Sequence, residues 1–128
     1  MKEIKAILRP NRLPVLREKL MLLPKFPGMT VSKAEGCSAR SVLNITGRPK
    51  DDLADYAPKV RIEIVAADDV ADEIVDLIIR VGQTGQVGDG LVWVTDIARA
   101  AFLYKTTSLG AGRPELIEKN ATEKSADL

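Results

Sequence analysis

Two hydrophobic periods alternate along this chain in a set order, and that order limits its folds more than any other feature. Lys2 to Leu8 runs with a period of two, placing Ile4, Ala6 and Leu8 on one side, as in a half-buried strand. Ile7 breaks the alternation and predicts partial cover on the second side. Leu13, Leu16, Leu20 and Leu23 follow at intervals of three, four and three, which places them on one helical face. Asn11 is the expected cap, Pro14 suits the first turn, and Pro24 and Pro27 are expected to stop the helix. Met29 to Ala34, entered through Gly28, returns to strand character. The same succession then recurs. Val60 to Val65 predicts a strand, and Asp68 or Asp69 is placed to cap a helix whose buried stripe is Val70, Ile74, Leu77, Ile78 and Val81. Gly82 and Gly85 end that helix, and Leu91 to Thr95 is the next strand. Ala100 to Tyr104 is short and apolar, and is expected to add a last edge strand.

Between the two halves the pattern collapses. Cys37 to Ala57, 21 residues, surrounds the small apolar patch Val42, Leu43 and Ile45 with polar and charged positions. Structureless connections beyond about 12–15 residues are uncommon in compact domains and tend to carry function. Strand, helix, strand, long loop, strand, helix, strand is the split βαβ plan of an α+β, ferredoxin-like sandwich. Both helices should cover one sheet face. The other needs cover of its own if it is apolar, and for a chain of 128 residues a symmetric oligomer is the expected source. The expected organisation is one domain over 1–105, with its loop at about 37–57. A polar extension over 106–128 either forms a short helix or stays disordered.

Composition excludes several function classes. The 19 basic and 18 acidic residues nearly cancel, which argues against a nucleic-acid binder built on a broad basic surface. Histidine is absent, removing the commonest metal ligand and the usual general base. The single cysteine, Cys37, allows neither an intrachain disulfide nor a cysteine zinc cluster, and it is expected to pack as a small residue under the loop. No apolar run approaches a membrane span, and the N-terminus lacks a signal-peptide layout. A cytoplasmic binding or regulatory domain is therefore expected in preference to a hydrolase, with no catalytic residues, no metal and no resident cofactor.

Several blocks, in order, carry a more specific signal. They are Gly28-Met29-Thr30-Val31, Gly36 at the loop base, and the run Pro58-Lys59-Val60-Arg61-Ile62-Glu63-Ile64-Val65. Thr84-Gly85-Gln86-Val87-Gly88-Asp89-Gly90, followed by a strand containing Trp93, completes the set. Together and at this spacing they resemble the PII nitrogen-regulatory signalling family over roughly residues 1–105. The resemblance implies a non-enzymatic homotrimer that binds an adenine nucleotide in clefts between subunits. It also implies that the long loop, the T-loop of that family, contacts a target protein such as a transporter or metabolic enzyme. Thr30, Ser38, Ala39, Val65, Gly88, Asp89 and Gly90 are the candidate nucleotide-binding residues. Glycines at 88 and 90 suit a phosphate cradle, and Asp89 either bonds a ribose or orders the turn.

Departures from the family pattern point to an altered ligand. Leu91, Phe102 and Tyr104 stand where typical members carry a lysine and two arginines that hold phosphates. Charge-assisted contacts of that kind contribute roughly 1.5–3 kcal/mol each, so ADP or AMP is expected in preference to ATP. Lys105 or Arg99 is placed to compensate in part. Arg40 replaces a glutamine that helps assemble magnesium, ATP and 2-oxoglutarate, and a guanidinium cannot ligate magnesium. Lys59 keeps the position that pairs with the 2-oxoglutarate carboxylate, and Arg40 and Lys59 remain candidate contacts for a small anion or effector. Asp52 stands where enterobacterial members carry the uridylylated tyrosine, and Tyr56 is expected to pack at the loop base. The stretch Pro24-Lys25-Phe26-Pro27-Gly28 is one residue longer than in ordinary members and is similar to divergent branches tied to metal efflux or to carboxysomes and bicarbonate. Three alternatives stay open: a carbon-metabolism sensor of ADP or AMP with bicarbonate, a trimer that only presents its loop, and a small enzyme working under the 37–57 loop. The last has neither histidine nor a clear carboxylate pair behind it.

Overall fold

The computed structural model describes residues 1–37 and 56–105. In chain order these form β1 (Lys2–Leu8), a 3-10 turn (Pro10–Arg12), α1 (Leu13–Leu20), β2 (Thr30–Gly36), β3 (Ala57–Ala66), α2 (Asp68–Gly82) and β4 (Gly90–Asp96). The four strands make one sheet in the order β2-β3-β1-β4, and every neighbouring pair is antiparallel. Each strand-helix-strand unit therefore skips over a central strand. This is the ferredoxin-like arrangement expected from the order of periods.

Strand pairing sorts the side chains onto two faces, because successive residues point to opposite sides. Ile4 lies across from Ile64 and Val94, and Ala6 across from Ile62 and Val92. The helices close over this face with Leu16 and Leu20 of α1 and the stripe Val70, Ile74, Leu77, Ile78 and Val81 of α2, all buried. Leu13 and Leu23 are partly buried at the edge of the same core. Each large aliphatic side chain sealed there contributes on the order of 1.5–3 kcal/mol, which is ample to hold two short helices on the sheet.

On the other face Lys5 lies between Glu63 and Trp93, and Ile7 between Arg61 and Leu91. This face holds a Lys5–Glu3 pair at 3.8 Å and an Arg61–Glu63 pair at 3.6 Å, with Trp93 and Leu91 exposed beside them. Ile4, Val60, Ile62 and Ile64 are 0–7% exposed beneath the helices, and Val92 is partly buried against the same core, so these apolar strand positions call for no further cover. The uncovered face is the mixed one behind them.

Local details differ from expectation where side chains found better partners. Asn11 does not cap α1: it lies inside the 3-10 turn, and the cap position is Arg12, which makes no capping bond through its side chain. Arg12 instead donates its Nε to the Val81 carbonyl at 2.8 Å, satisfying a carbonyl in the last turn of α2. α1 ends at Leu20, four residues before Pro24, and hydrogen-bonded turns carry the chain through Leu22, Leu23 and Phe26. Neither Asp68 nor Asp69 caps α2, since Ala67 holds that position. Both sit in the first turn, where the helix dipole favours acids, and they pair with the Met1 amine and with Lys25 at 2.5 Å. Ala100 to Tyr104 forms no strand: a single bridge residue at Ala101 is followed by a turn at 103–105. Cys37 and Tyr56 are exposed rather than packed, Tyr56 by 54%. Ser38, Ala39, Arg40, Asp52 and the extension beyond residue 105 lie outside the described residues.

Candidate functional site

The turn between α2 and β4 is built around one carboxylate. Asp89 Oδ2 accepts the backbone N–H groups of Thr84 at 2.6 Å, Gly85 at 2.9 Å and Gln86 at 3.3 Å. Its Oδ1 accepts the Thr84 hydroxyl and Arg9 Nε, the latter at 3.3 Å. These bonds favour the charged form and hold the Asp89 carboxyl well below the usual carboxylate range, with the Thr84 hydroxyl and amide contributing most. Asp89 thus orders the turn. Two further glycines make the path possible. Gly88 has φ +104° and Gly90 φ +109°, and a Cβ on Gly90 would stand 1.7 Å from the Ile7 carbonyl oxygen. Because the folded pKa of Asp89 is depressed, its stabilising contribution is complete above the ordinary carboxylate pKa of about 4 and is lost as pH falls below it. An Asp89→Asn protein is expected to melt below the wild type at pH 7. The gap should narrow steadily below pH 4, and a pH-independent gap in thermal melts would contradict this.

Lys59 connects the turn to the sheet. It is 7% exposed, and its ammonium donates to the Gly88 carbonyl. Burial, and then the nearby Arg9 guanidinium, lower its pKa below the ordinary lysine value. Its stem passes over Gly36, where an added Cβ would meet Lys59 Cγ at 3.2 Å. Gly36, Lys59, Arg9 and the 84–90 turn therefore converge at one end of the sheet.

The opposite end carries a cavity of about 600 Å³. Pro27 to Thr30 form one side, Glu63 and Val65 its floor with Glu3, and Ala100 to Phe102 the far wall. No lysine or arginine is among its lining residues. Phe102 stacks at a tilt on Tyr104, with ring centres 5.5 Å apart, and the Lys105 ammonium lies 4.8 Å from the Phe102 ring centre. The aromatic residues expected in place of phosphate-binding cations thus form a cation–π cluster beside this cavity.

The candidate residues therefore divide between two places. Gly88, Asp89, Gly90 and Lys59 gather at the turn, whereas Thr30 and Val65 line the cavity. Lys59 and Val65 share a strand and a face but are six residues apart, about 20 Å at the rise of an antiparallel strand. Within one chain they cannot touch the same small ligand. Arg9 and Thr84, which hold the turn, were not apparent from the sequence. Arg9 lies 80 residues from Asp89, so no local spacing connects them. Thr84, five residues before Asp89, carried a usable hint, since a hydroxyl ahead of an aspartate in a glycine-rich stretch favours side-chain bonding within a turn. Glu3 and Glu63 were also missed as cavity residues, because each reads as an ordinary polar strand position.

A protein-family model described as Nitrogen regulatory protein P-II matches residues 1–106. Among curated proteins the chain is similar to "Nitrogen regulatory protein P-II" of Klebsiella oxytoca, 42% identical over 99 residues, covering 77% of this chain and 88% of that protein. "Nitrogen regulatory protein P-II 1" of Escherichia coli K12 gives the same identity and coverage. "Nitrogen regulatory protein P-II" of Bradyrhizobium diazoefficiens is 37% identical over 100 residues, covering 78% of this chain and 88% of that protein.

Proposed function

Because the chain belongs to the nitrogen regulatory protein P-II family, whose members are regulatory signalling proteins, we propose that it is a non-enzymatic sensor of adenine nucleotide. It works as a homotrimer whose ligand sits between two copies. The observation that carries this reading is the division of the candidate site: the glycine turn with Lys59 lies at one end of the open sheet face, and the cavity under Thr30 and Val65 at the other. A ligand held by both needs the turn of one copy against the cavity of the next. The open face offers material for such packing, since Trp93 and Leu91 are exposed beside alternating charges from Glu3, Lys5, Arg61 and Glu63. Light scattering at micromolar concentration is expected to give three chain masses. A monomer there would overturn both the assembly and the shared site.

ADP or AMP is the expected nucleotide, because the cavity wall offers Phe102 in place of a cation and the turn runs into Leu91. Output to a target protein, a transporter or a metabolic enzyme, passes through the 37–57 segment, which lies mostly outside the described residues. One domain over 1–105 carries these parts, and 106–128 is an appendage to it. A cytoplasmic location suits this role, and among the described residues no helix is long and apolar enough to cross a membrane. A second reading, a sensor of ADP or AMP together with bicarbonate, draws support from Lys59. This buried ammonium is bonded to a neutral carbonyl, with the Asp89 carboxylate as its nearby acid, so a small anion beside it would add a second opposite charge.

A further inference from the structure

The 86–89 segment is a β-turn closed by the Asp89 N–H on the Gln86 carbonyl at 3.2 Å, with Gly88 in third place at φ +104°. A positive φ there is what a type II turn requires, with Gly as its usual third residue. In a type I turn the third residue is near −90° and the central peptide is turned over. Glycine in third place permits the type II form without excluding the type I form, so contacts outside the turn add to the choice.

Arg9 supplies such contacts. Its Nη2 donates to the Val87 carbonyl at 3.3 Å while its Nε reaches Asp89, so one guanidinium holds the central peptide and the turn's organising carboxylate together. No peptide bond among the described residues is cis, so the Val87 carbonyl and the Gly88 N–H point in opposite directions. With the carbonyl on Arg9, the N–H faces away from it. No group among the described residues accepts that N–H. Lys59 holds the following carbonyl, of Gly88, so both acceptors in the middle of the turn are drawn toward cations.

We propose that Arg9 is a positioning residue that locks the 87–88 peptide with its N–H outward, making the Gly88 amide a donor for the phosphate of a bound nucleotide. The inference rests on the nucleotide reading above and adds a residue and an atom to it. Freed of Arg9, the peptide turns over and presents a carbonyl, which repels a phosphate.

The experiment compares AMP with adenosine, which lacks only the phosphate, in calorimetric titrations of wild type, Arg9→Gln and Arg9→Lys. Arg9→Gln is expected to weaken AMP about tenfold, the worth of one charge-assisted bond, and adenosine less than twofold. Arg9→Lys, which keeps the charge and can reach one acceptor, should recover part of the loss. In the ligand-free proteins the Gly88 amide resonance should move in Arg9→Gln and move less in Arg9→Lys. Equal losses for AMP and adenosine would mean a merely structural role and overturn the inference, as would an unmoved Gly88 resonance. A wild type that binds neither compound would end the nucleotide reading itself, and the Gly88 resonance would then still report whether Arg9 orients the peptide.

Discussion

AMP and ADP are expected to bind at least as tightly as ATP. Installing three cations, by Leu91→Lys, Phe102→Arg and Tyr104→Arg together, is expected to tighten ATP by a hundredfold or more while moving AMP little. The cavity lining contains the carboxylates of Glu3 and Glu63 and no cation, so this side of the shared site offers the distal phosphates of ATP no partner. Each charge-assisted bond that is restored adds roughly 1.5–3 kcal/mol, about tenfold or more in affinity, so three leave a wide margin. Leu91 is 58% exposed and Tyr104 78%, so both replacements can be accommodated without disturbing the core. Phe102→Arg removes the ring beneath the Lys105 ammonium and puts a guanidinium on the cavity wall. Calorimetry with the three nucleotides, with and without magnesium and bicarbonate, measures the preference. Clearly tighter ATP binding by the wild type, strengthened by 2-oxoglutarate, would overturn it. Silence toward all three would favour a trimer that only presents its loop.

Gly90→Ala is expected to destabilise the protein by about 3–5 kcal/mol, the range reserved for changes that break a specific local constraint. Two costs combine at this position. A side chain at φ +109° is strained by roughly 1–2 kcal/mol, and the new Cβ would stand 1.7 Å from the Ile7 carbonyl oxygen, which the backbone must move to relieve. Gly90 pairs with Leu8 at the start of β4, so that movement disturbs the ladder joining β4 to β1. Gly28→Ala and Gly85→Ala are the controls. Both glycines have positive φ, but a Cβ at either meets nothing within 4 Å, so each should cost only about 1–2 kcal/mol. Urea denaturation distinguishes the cases, and a loss at Gly90 no larger than at Gly85 would show that the clash is relieved cheaply.

The succession of strands and helices was legible because each depends on spacing within its own few residues. The strand over Lys2–Leu8 and the buried stripe Val70, Ile74, Leu77, Ile78 and Val81 appear where the periods place them. Capping was less legible. Asn11, Asp68 and Asp69 are the right residue types near helix starts, yet Asp68 and Asp69 found ion partners at Met1 and Lys25, and the α1 cap fell on Arg12. The segment Ala100 to Tyr104 has strand-like composition, but the sheet adds no strand from it, and its aromatic rings cluster with Lys105 instead.

What the sequence determined by itself is the two strand-helix-strand halves, their order, and the glycine-rich turn with its aspartate. All of these are encoded in neighbours a few positions apart. Tertiary structure alone decided which sheet face lies bare, that the candidate residues divide between two ends of β3, and that Arg9 and Lys59 grip the turn. The physical reason is range. A hydrophobic period acts through adjacent turns and pleats, whereas the bond from Arg9 to Asp89 joins atoms 80 residues apart that become neighbours only once the strands have paired.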